Sequence, residues 1–101
     1  MKNTRRRQPP HPGHILLKHF IEPIKGLSSY RVAEDCHIPR GHFYGIVRGE
    51  RGITAPVALR LGRYFGTSSQ FWLNLQSLYE LQCAEIAEGK QIEKEVRPLA
   101  A

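Results

Sequence analysis

The chain has 101 residues, of which 41% are hydrophobic, and this is enough for one domain with a modest core. Its formal net charge is +6 and its pI is near 9.8, which favours a polyanionic partner. Residues 1–79 carry 12 basic and 4 acidic residues, whereas residues 80–101 carry 3 and 5. We therefore expect the basic body, and not the acidic end, to face such a partner.

Several classes of protein are disfavoured. No apolar run approaches the ~18 residues of a membrane span, and no signal peptide follows the basic start, so we expect a cytoplasmic protein. Cys36 and Cys83 have apolar neighbours, which favours buried free thiols in a reducing compartment over a disulfide. No nucleophile elbow, phosphate-binding loop or carboxylate dyad is present. We expect neither an enzyme nor a bound cofactor.

The histidines do not indicate a metal site. His11 and His14 are three residues apart, and His37 is adjacent to Cys36. Zinc needs three or four ligands at recognisable spacing, and His14 fits better as a surface residue of a helix. We expect no metal.

The chain begins with residues 1–10, which are polar and contain two prolines. This composition predicts a basic flexible arm without fixed structure. Its arginines either contact phosphates or enter a minor groove, or they belong to a solvated tail, and the sequence leaves these possibilities open. They are Arg5, Arg6 and Arg7.

A first helix is predicted over residues 11–22. Pro12 suits its first turn, where a missing N–H costs nothing, and Pro23 excludes helical geometry at the residue before it. Leu16, Phe20 and Ile21 form its apolar face.

Residues 27–54 form the stretch around which the chain is organised. A helix over residues 27–36 has Ser28 as its N-cap and a small inward residue, Ala33, where a second helix can cross closely. The turn is His37-Ile38, with Ile38 as a buried anchor. Pro39 opens the second helix, and Gly49 ends it. Its inner face is Phe43, Ile46 and Val47, and its outer face is Arg40, Gly41, His42, Tyr44, Gly45 and Arg48.

The next helix is predicted to begin at the N-cap Thr54, after an exposed loop at Arg51-Gly52, and to end at Gly66. A last helix starts at Thr67 or Ser68 and ends at Gly89. Its apolar surface is wider than one core requires, which favours a dimer interface over a helix buried on several sides of the monomer. The predicted interface residues are Phe71, Trp72, Leu75, Leu78 and Tyr79. The domain therefore spans residues 11–89, and a charged tail spans residues 90–101.

Two helices, a tight turn and a basic outer face predict a helix-turn-helix that binds double-stranded DNA. Arginine pairs bidentately with guanine, and histidine and tyrosine can bond to base edges. Backbone N–H groups, hydroxyls and a loop arginine suit phosphates. The predicted base-reading residues are Arg40, Gly41, His42, Tyr44 and Arg48, and the predicted phosphate-contacting residues are Ser28, Ser29, Arg51 and Thr54.

Four segments carry a resemblance to a known family. They are HPGHILLKHFIEPI at 11–24, LSSYRVAE at 27–34, IPRGHFYGIVRGERGIT at 38–54 and ALRLGRYFGTSSQFWLNLQSLYEL at 58–81, and the closing IEKEVRPLA is similar too. The chain resembles the HigA-type antitoxins of bacterial toxin–antitoxin modules, within the Xre/Cro-like regulators. The resemblance implies an all-α, five-helix, lambda-repressor-like domain. It also implies a homodimer that binds a palindromic operator in its own promoter, and a HigB-type toxin partner, a ribosome-dependent mRNA endonuclease that it neutralises.

The sequence departs from this family where the second helix would read bases. Members often have Pro, Ser, Arg, Ile, Asn and Glu where this chain has residues 40–45, RGHFYG, and a glycine where it has His37. His37 must then tolerate a left-handed or strained conformation. Two other functions stay open: a stand-alone repressor without a toxin, and a toxin-sequestering protein with weak DNA binding.

Overall fold

The computed structural model describes residues 8–100, and in this part of the chain all regular structure is helical. The prediction of an all-α domain of five helices is confirmed. The first helix, α1, is α-helical over Pro12–Ile15 and π-helical over Leu16–Ile21. The others are α2 (Ser29–Cys36), α3 (Arg40–Val47), α4 (Ala55–Phe65) and α5 (Ser69–Glu95). Arg5, Arg6 and Arg7 of the predicted arm lie outside the described residues.

The π-helical part of α1 corrects the prediction of one regular helix over residues 11–22. The Glu22 N–H donates to the Leu17 carbonyl at 2.9 Å, five residues back. Bonds of this span place residues five apart on the same side of the helix. Leu16 and Ile21, which are five residues apart, are both buried. The helix ends at Ile21, and its C-cap Glu22 directly precedes Pro23, so the helix ends before this proline as predicted.

The core lies where all five helices meet. Trp72 of α5 is its largest buried side chain, with no exposed surface, and its indole Nε1 donates to Thr67 Oγ1 at 2.7 Å. The prediction that Trp72 belongs to a dimer interface is therefore wrong, because its ring is enclosed within its own protomer. The other side chains with no exposed surface are Leu16, Val32, Ala33, Phe43, Ile46, Ala58 and Leu61.

The helix boundaries follow the capping residues. Ser28 Oγ accepts from the Arg31 N–H at 3.1 Å, and Ser68 Oγ accepts from the Phe71 N–H at 3.0 Å. Thr54 stands at the N-cap of α4 but its side chain makes no capping bond there. Gly66 ends α4 at a φ of 75°. The predicted caps Ser28 and Gly66 are confirmed.

The helix α5 is longer than predicted. It continues through Gly89 to Glu95, so the prediction that the helix ends at Gly89 and a tail begins at residue 90 is wrong. A glycine inside a helix costs only ~1 kcal/mol relative to alanine, and its neighbours are good helix formers. With 27 residues, α5 is roughly 40 Å long at 1.5 Å per residue. Residues 96–100 have no regular structure.

The two cysteines are both free thiols. Cys36 is buried as predicted, and burial raises the pKa of its thiol to about 11. Cys83 is half-buried, so its predicted burial is only partial. The side-chain amide of Gln8 donates to Cys83 Sγ at 3.1 Å, so the end of the predicted arm already contacts α5. Among residues 8–100, no helix combines the length and apolar character needed to cross a bilayer.

Candidate nucleic-acid interface

The turn between α2 and α3 is a left-handed helix cap. His37 has a φ of 57° and a ψ of 41°, the left-handed conformation that the family's glycine at this position implied. Its N–H donates to the Glu34 carbonyl at 3.1 Å, and the Ile38 N–H donates to the Ala33 carbonyl at 3.0 Å. These two bonds form a Schellman motif, which usually uses glycine. The motif ends α2 abruptly and turns the chain directly into α3.

Close packing fixes α3 against α2. Ala33 is fully buried and Ile38 is 5% exposed, as predicted for the crossing residue and the turn anchor. Phe43 and Ile46 of α3 are fully buried and Val47 is half-buried, so the predicted inner face is confirmed. The side of α3 that starts at Arg40 is left exposed.

The first helix packs against α3 through the HPG motif, which is His11-Pro12-Gly13. The His11 ring Nδ1 accepts from the Gly13 N–H at 2.9 Å and so caps α1, which Pro12 then begins. A Cβ added to Gly13 would lie 1.8 Å from the Ile46 carbonyl oxygen. Glycine is therefore required here because the backbones of α1 and α3 touch. The sequence signalled the helix start but not this contact.

His11 itself is a core residue at 8% exposure. Its ring meets Tyr79 of α5 edge-on, with centroids 4.8 Å apart, and it lies against the backbone position of Gly49. Burial, and next the positive charge of His14, hold the pKa of His11 below its usual value. His11 thus links the end of α3 to α5.

The loop after α3 is clamped by a glutamine that the sequence did not single out. Gln76 of α5 is 8% exposed, and its Oε1 accepts from the Ile53 N–H at 2.8 Å. Its Nε2 donates to Glu80 at 2.8 Å. A Cβ on Gly52 would lie 2.9 Å from Gln76 Nε2. Gly52 and Ile53 of the RGIT segment therefore both lie against the buried side-chain amide of Gln76.

Arg48 forms an exposed ion pair with the loop that follows α3. Its guanidinium nitrogens Nε and Nη2 donate to the two carboxylate oxygens of Glu50, each at 3.1 Å. The hydrogen bonds and charge of Arg48 lower the pKa of Glu50. Arg48 is also the C-cap of α3, at the end farthest from Arg40. A bidentate pair of this kind leaves fewer donors for DNA.

Arg51 turns back onto α3 instead of lying free in the loop. Its side chain covers Gly45, whose Cβ would lie 3.0 Å from Arg51 Cδ. Gly45 is buried, so its placement on the outer face was wrong. The guanidinium nitrogen Nη1 of Arg51 lies 3.0 Å from His42 Nδ1. Because a guanidinium can only donate, His42 Nδ1 accepts and Nε2 carries the proton.

His42 is consequently turned inward. Its Nε2 is buried and has no partner among the described residues. An unpaired buried donor costs about 1–3 kcal/mol. The structure therefore joins His42, a predicted base reader, to Arg51, a predicted phosphate contact, within the protein.

Arg40 is in a different situation. It is exposed at the first position of α3, and its guanidinium carbon lies 5.1 Å from the centroid of the Tyr30 ring. Tyr30 is the second residue of α2 and is 50% exposed. The remaining predicted residues surround this end: Gly41 is exposed with open space beside it, and Tyr44 is half-buried against the core. Of the predicted phosphate contacts, Ser28 and Thr54 are exposed and Ser29 is half-buried.

A separate polar cluster joins α2 to α4 and has a structural role. Tyr64 donates its hydroxyl to Asp35 Oδ2 at 2.6 Å, and Arg31 Nε bonds to the same oxygen at 3.3 Å. The Tyr64 hydrogen bond is the main cause that lowers the pKa of Asp35. Arg60 Nη1 donates a hydrogen bond to the Cys36 carbonyl oxygen at 3.0 Å. Within residues 8–100, no three histidine, cysteine or acidic side chains gather as metal ligands.

A short helix pair with a left-handed turn, a packed inner face and an exposed arginine at the start of the second helix defines a helix-turn-helix protein of the Xre/Cro type. No family model matches the sequence, but individual proteins do. A Pseudomonas aeruginosa antitoxin HigA, solved with the higBA promoter, is 48% identical, with a TM-score of 0.86 over 91% of this chain and 99% of that one. A HigA-family antidote protein from Coxiella burnetii is 42% identical, with a TM-score of 0.87 over 92% and 100%.

Among curated relatives, virulence-associated protein I of Dichelobacter nodosus is 44% identical over 90 residues, which are 89% of this chain and 81% of that protein. The likeness extends over nearly the whole chain and holds in both sequence and structure. The chain belongs to the HigA family of helix-turn-helix antitoxins.

Proposed function

We propose that this chain is the antitoxin of a HigBA-type module. It neutralises an mRNA-cleaving HigB-type toxin by forming a complex with it, and as a homodimer it binds operator DNA in its own promoter and represses transcription. This activity is one of binding, without catalysis. DNA as partner and two free thiols support a cytoplasmic location.

The observation that carries the DNA-binding part is the exposed start of α3. Arg40 is presented there on a helix whose opposite face is fixed by Phe43 and Ile46. A relative of 48% identity was solved with promoter DNA, which supports DNA binding by this chain. Two half-sites about one DNA turn apart are expected for a dimer.

The dimer is supported by apolar side chains of α5 that the protomer leaves uncovered. Leu78 is 53% exposed, Leu81 is 64% exposed and Phe71 is 36% exposed. Leu75 and Tyr79 are half-buried, and the Tyr79 ring already contacts His11. The proposed interface therefore centres on Phe71, Leu75 and Leu78.

The DNA-binding part is tested by gel shift with a duplex taken from directly upstream of this protein's own reading frame, over a salt series. A sequence-specific shift is expected, and Arg40→Ala is expected to weaken it by roughly 5- to 150-fold, the value of one bidentate base contact. Arg97→Ala, which removes the same charge beyond the end of α5, is the matched control. Binding without sequence preference, equally weakened by both variants, would contradict repression.

The dimer is tested by the solution mass at micromolar concentration. A dimer is expected for the wild-type chain and a monomer for Leu78→Glu, because a carboxylate would be buried without a partner. Leu99→Glu is the control, since Leu99 is 96% exposed beyond α5. A wild-type monomer would argue against this interface.

The toxin-neutralising part is tested in cells. Co-expression with the product of the adjacent reading frame should restore growth that this product alone arrests. A sequence-specific gel shift without such a neighbour would instead identify a stand-alone repressor. Growth rescue without a specific shift would identify a toxin-sequestering protein.

A further inference from the structure

The donors on the predicted reading surface differ in what they already bind. Arg48 is engaged by Glu50 and Arg51 by His42. His42 has its remaining nitrogen buried. Among residues 8–100, Arg40 makes no hydrogen bond and no ion pair, and the Tyr30 ring is its one polar or aromatic contact.

A cation–π contact holds a guanidinium without using its hydrogen-bond donors. The ring attracts the positive charge and accepts no conventional hydrogen bond, so the five N–H donors of the guanidinium stay available to another partner. Guanine presents O6 and N7 in the major groove as two acceptors for such a planar fork. An arginine already ordered in this way loses less side-chain entropy on binding than a free one.

The placement of the ring suits this role. Tyr30 is the second residue of α2 and Arg40 is the first residue of α3. The Schellman turn at His37 fixes one helix relative to the other. The Arg40–Tyr30 contact therefore belongs to the rigid two-helix unit. Gly41 follows Arg40, has open space beside it and adds no side chain there.

We propose that Tyr30 is a positioning residue that holds Arg40 by a cation–π contact and presents it to a guanine in the operator, so that Arg40 is the principal base reader of this chain. The inference rests on the proposed DNA-binding function and narrows the predicted reading set. Gly41, His42, Tyr44 and Arg48 then contribute shape and charge rather than the main base contact.

The test uses Tyr30→Leu, which removes the ring, and Tyr30→Phe, which keeps it. Because Tyr30 is half exposed, both variants should melt near the wild-type temperature. On the upstream duplex, Tyr30→Leu should bind about two- to fivefold more weakly, which corresponds to an exposed cation–π contact of 0.5–1 kcal/mol. Tyr30→Phe should bind like the wild type. The salt slope should not change, since no charge is lost.

The specific readout is sensitivity to one guanine. Replacing guanines one at a time by 7-deazaguanine removes N7, and one position should weaken the wild type but not Arg40→Ala. For Tyr30→Leu, the loss of affinity caused by 7-deazaguanine at that position should be smaller than for the wild type. Adding Tyr30→Leu to Arg40→Ala should not lower the affinity further.

The outcomes separate two failures. If the wild type shows no sequence preference, the proposed function and this inference both fall. A second failure is possible when the wild type binds specifically. If Tyr30→Leu then binds as well as the wild type, or if its effect adds in full to that of Arg40→Ala, Tyr30 does not position Arg40. In that case only this inference falls.

Discussion

Gly13 and Ile46 bring two helices into backbone contact, because a Cβ on Gly13 would lie 1.8 Å from the Ile46 carbonyl oxygen. That oxygen belongs to α3 and cannot move without shifting the helix. Gly13→Ala should therefore destabilise the protein by about 3 kcal/mol, at the upper end of overpacking effects. Urea unfolding measures this change.

The matched control is Gly41→Ala, at a glycine with open space around it. It should stabilise the protein by about 0.5–1 kcal/mol through helix propensity. Equal effects of the two substitutions would show that α1 and α3 do not touch.

His37 holds the turn in a left-handed conformation that costs a side chain about 1–2 kcal/mol. His37→Gly removes this strain from the folded state, but the greater freedom of glycine in the unfolded chain offsets part of the gain in stability. We expect a net stabilisation of about 0.5–1 kcal/mol, seen as a higher Tm. Gly66→Ala, at a φ of 75°, should lower the Tm. A lower Tm for His37→Gly would mean that the His37 side chain makes a stabilising contact of its own.

Gln76→Leu should leave the buried Ile53 N–H without an acceptor. We expect a loss of about 1–3 kcal/mol in the free energy of unfolding and weaker DNA binding, because the loop after α3 loses its anchor. Gln70→Leu removes an exposed bond to Asn74 on the same helix and should change stability by less than about 0.5 kcal/mol. Unfolding curves that coincide for these two variants would rule out the clamp.

The lowered pKa of His11 makes stability depend on pH. The unfolded chain binds a proton near the ordinary value of about 6.5, whereas folded His11 binds it only at lower pH. Protonation therefore favours unfolding, and the stability present above pH 6.5 is lost as the pH falls below it. His11→Asn keeps a capping oxygen without the titration, so its stability should change less between pH 7.5 and 5.5. The comparison is made by denaturant unfolding, and parallel slopes for the two proteins would contradict this role.

The sequence predicted the local features of the interface well. The buried positions of Phe43 and Ile46 follow from helical spacing, because they depend on residues a few positions apart. The left-handed His37 was implied by the resemblance, since family members often have glycine at this position. The arrangement of Arg48 on Glu50 and of Arg51 on His42 was not predictable in this way. It depends on which of several side-chain conformations each arginine adopts once the loop is folded.

The longer-range errors have a common physical origin. Trp72 and Leu78 both belong to an apolar helix, but only packing shows that one is enclosed and the other uncovered. Nothing in the pattern marked Gln76 as a clamp, since its partner is a backbone N–H 23 residues away. Gly89 suggests a helix end because glycine is a weak helix former, but the helix-forming residues on both sides carry α5 through it.

Gln76 also has a consequence for communication within the molecule. Its amide joins α5 to the main chain beside α3, and α5 carries the uncovered surface around Leu78. A protein that shifts α5 on binding must also move Ile53. The two events are then thermodynamically linked, so DNA changes the affinity for that protein by the same factor by which the protein changes the affinity for DNA.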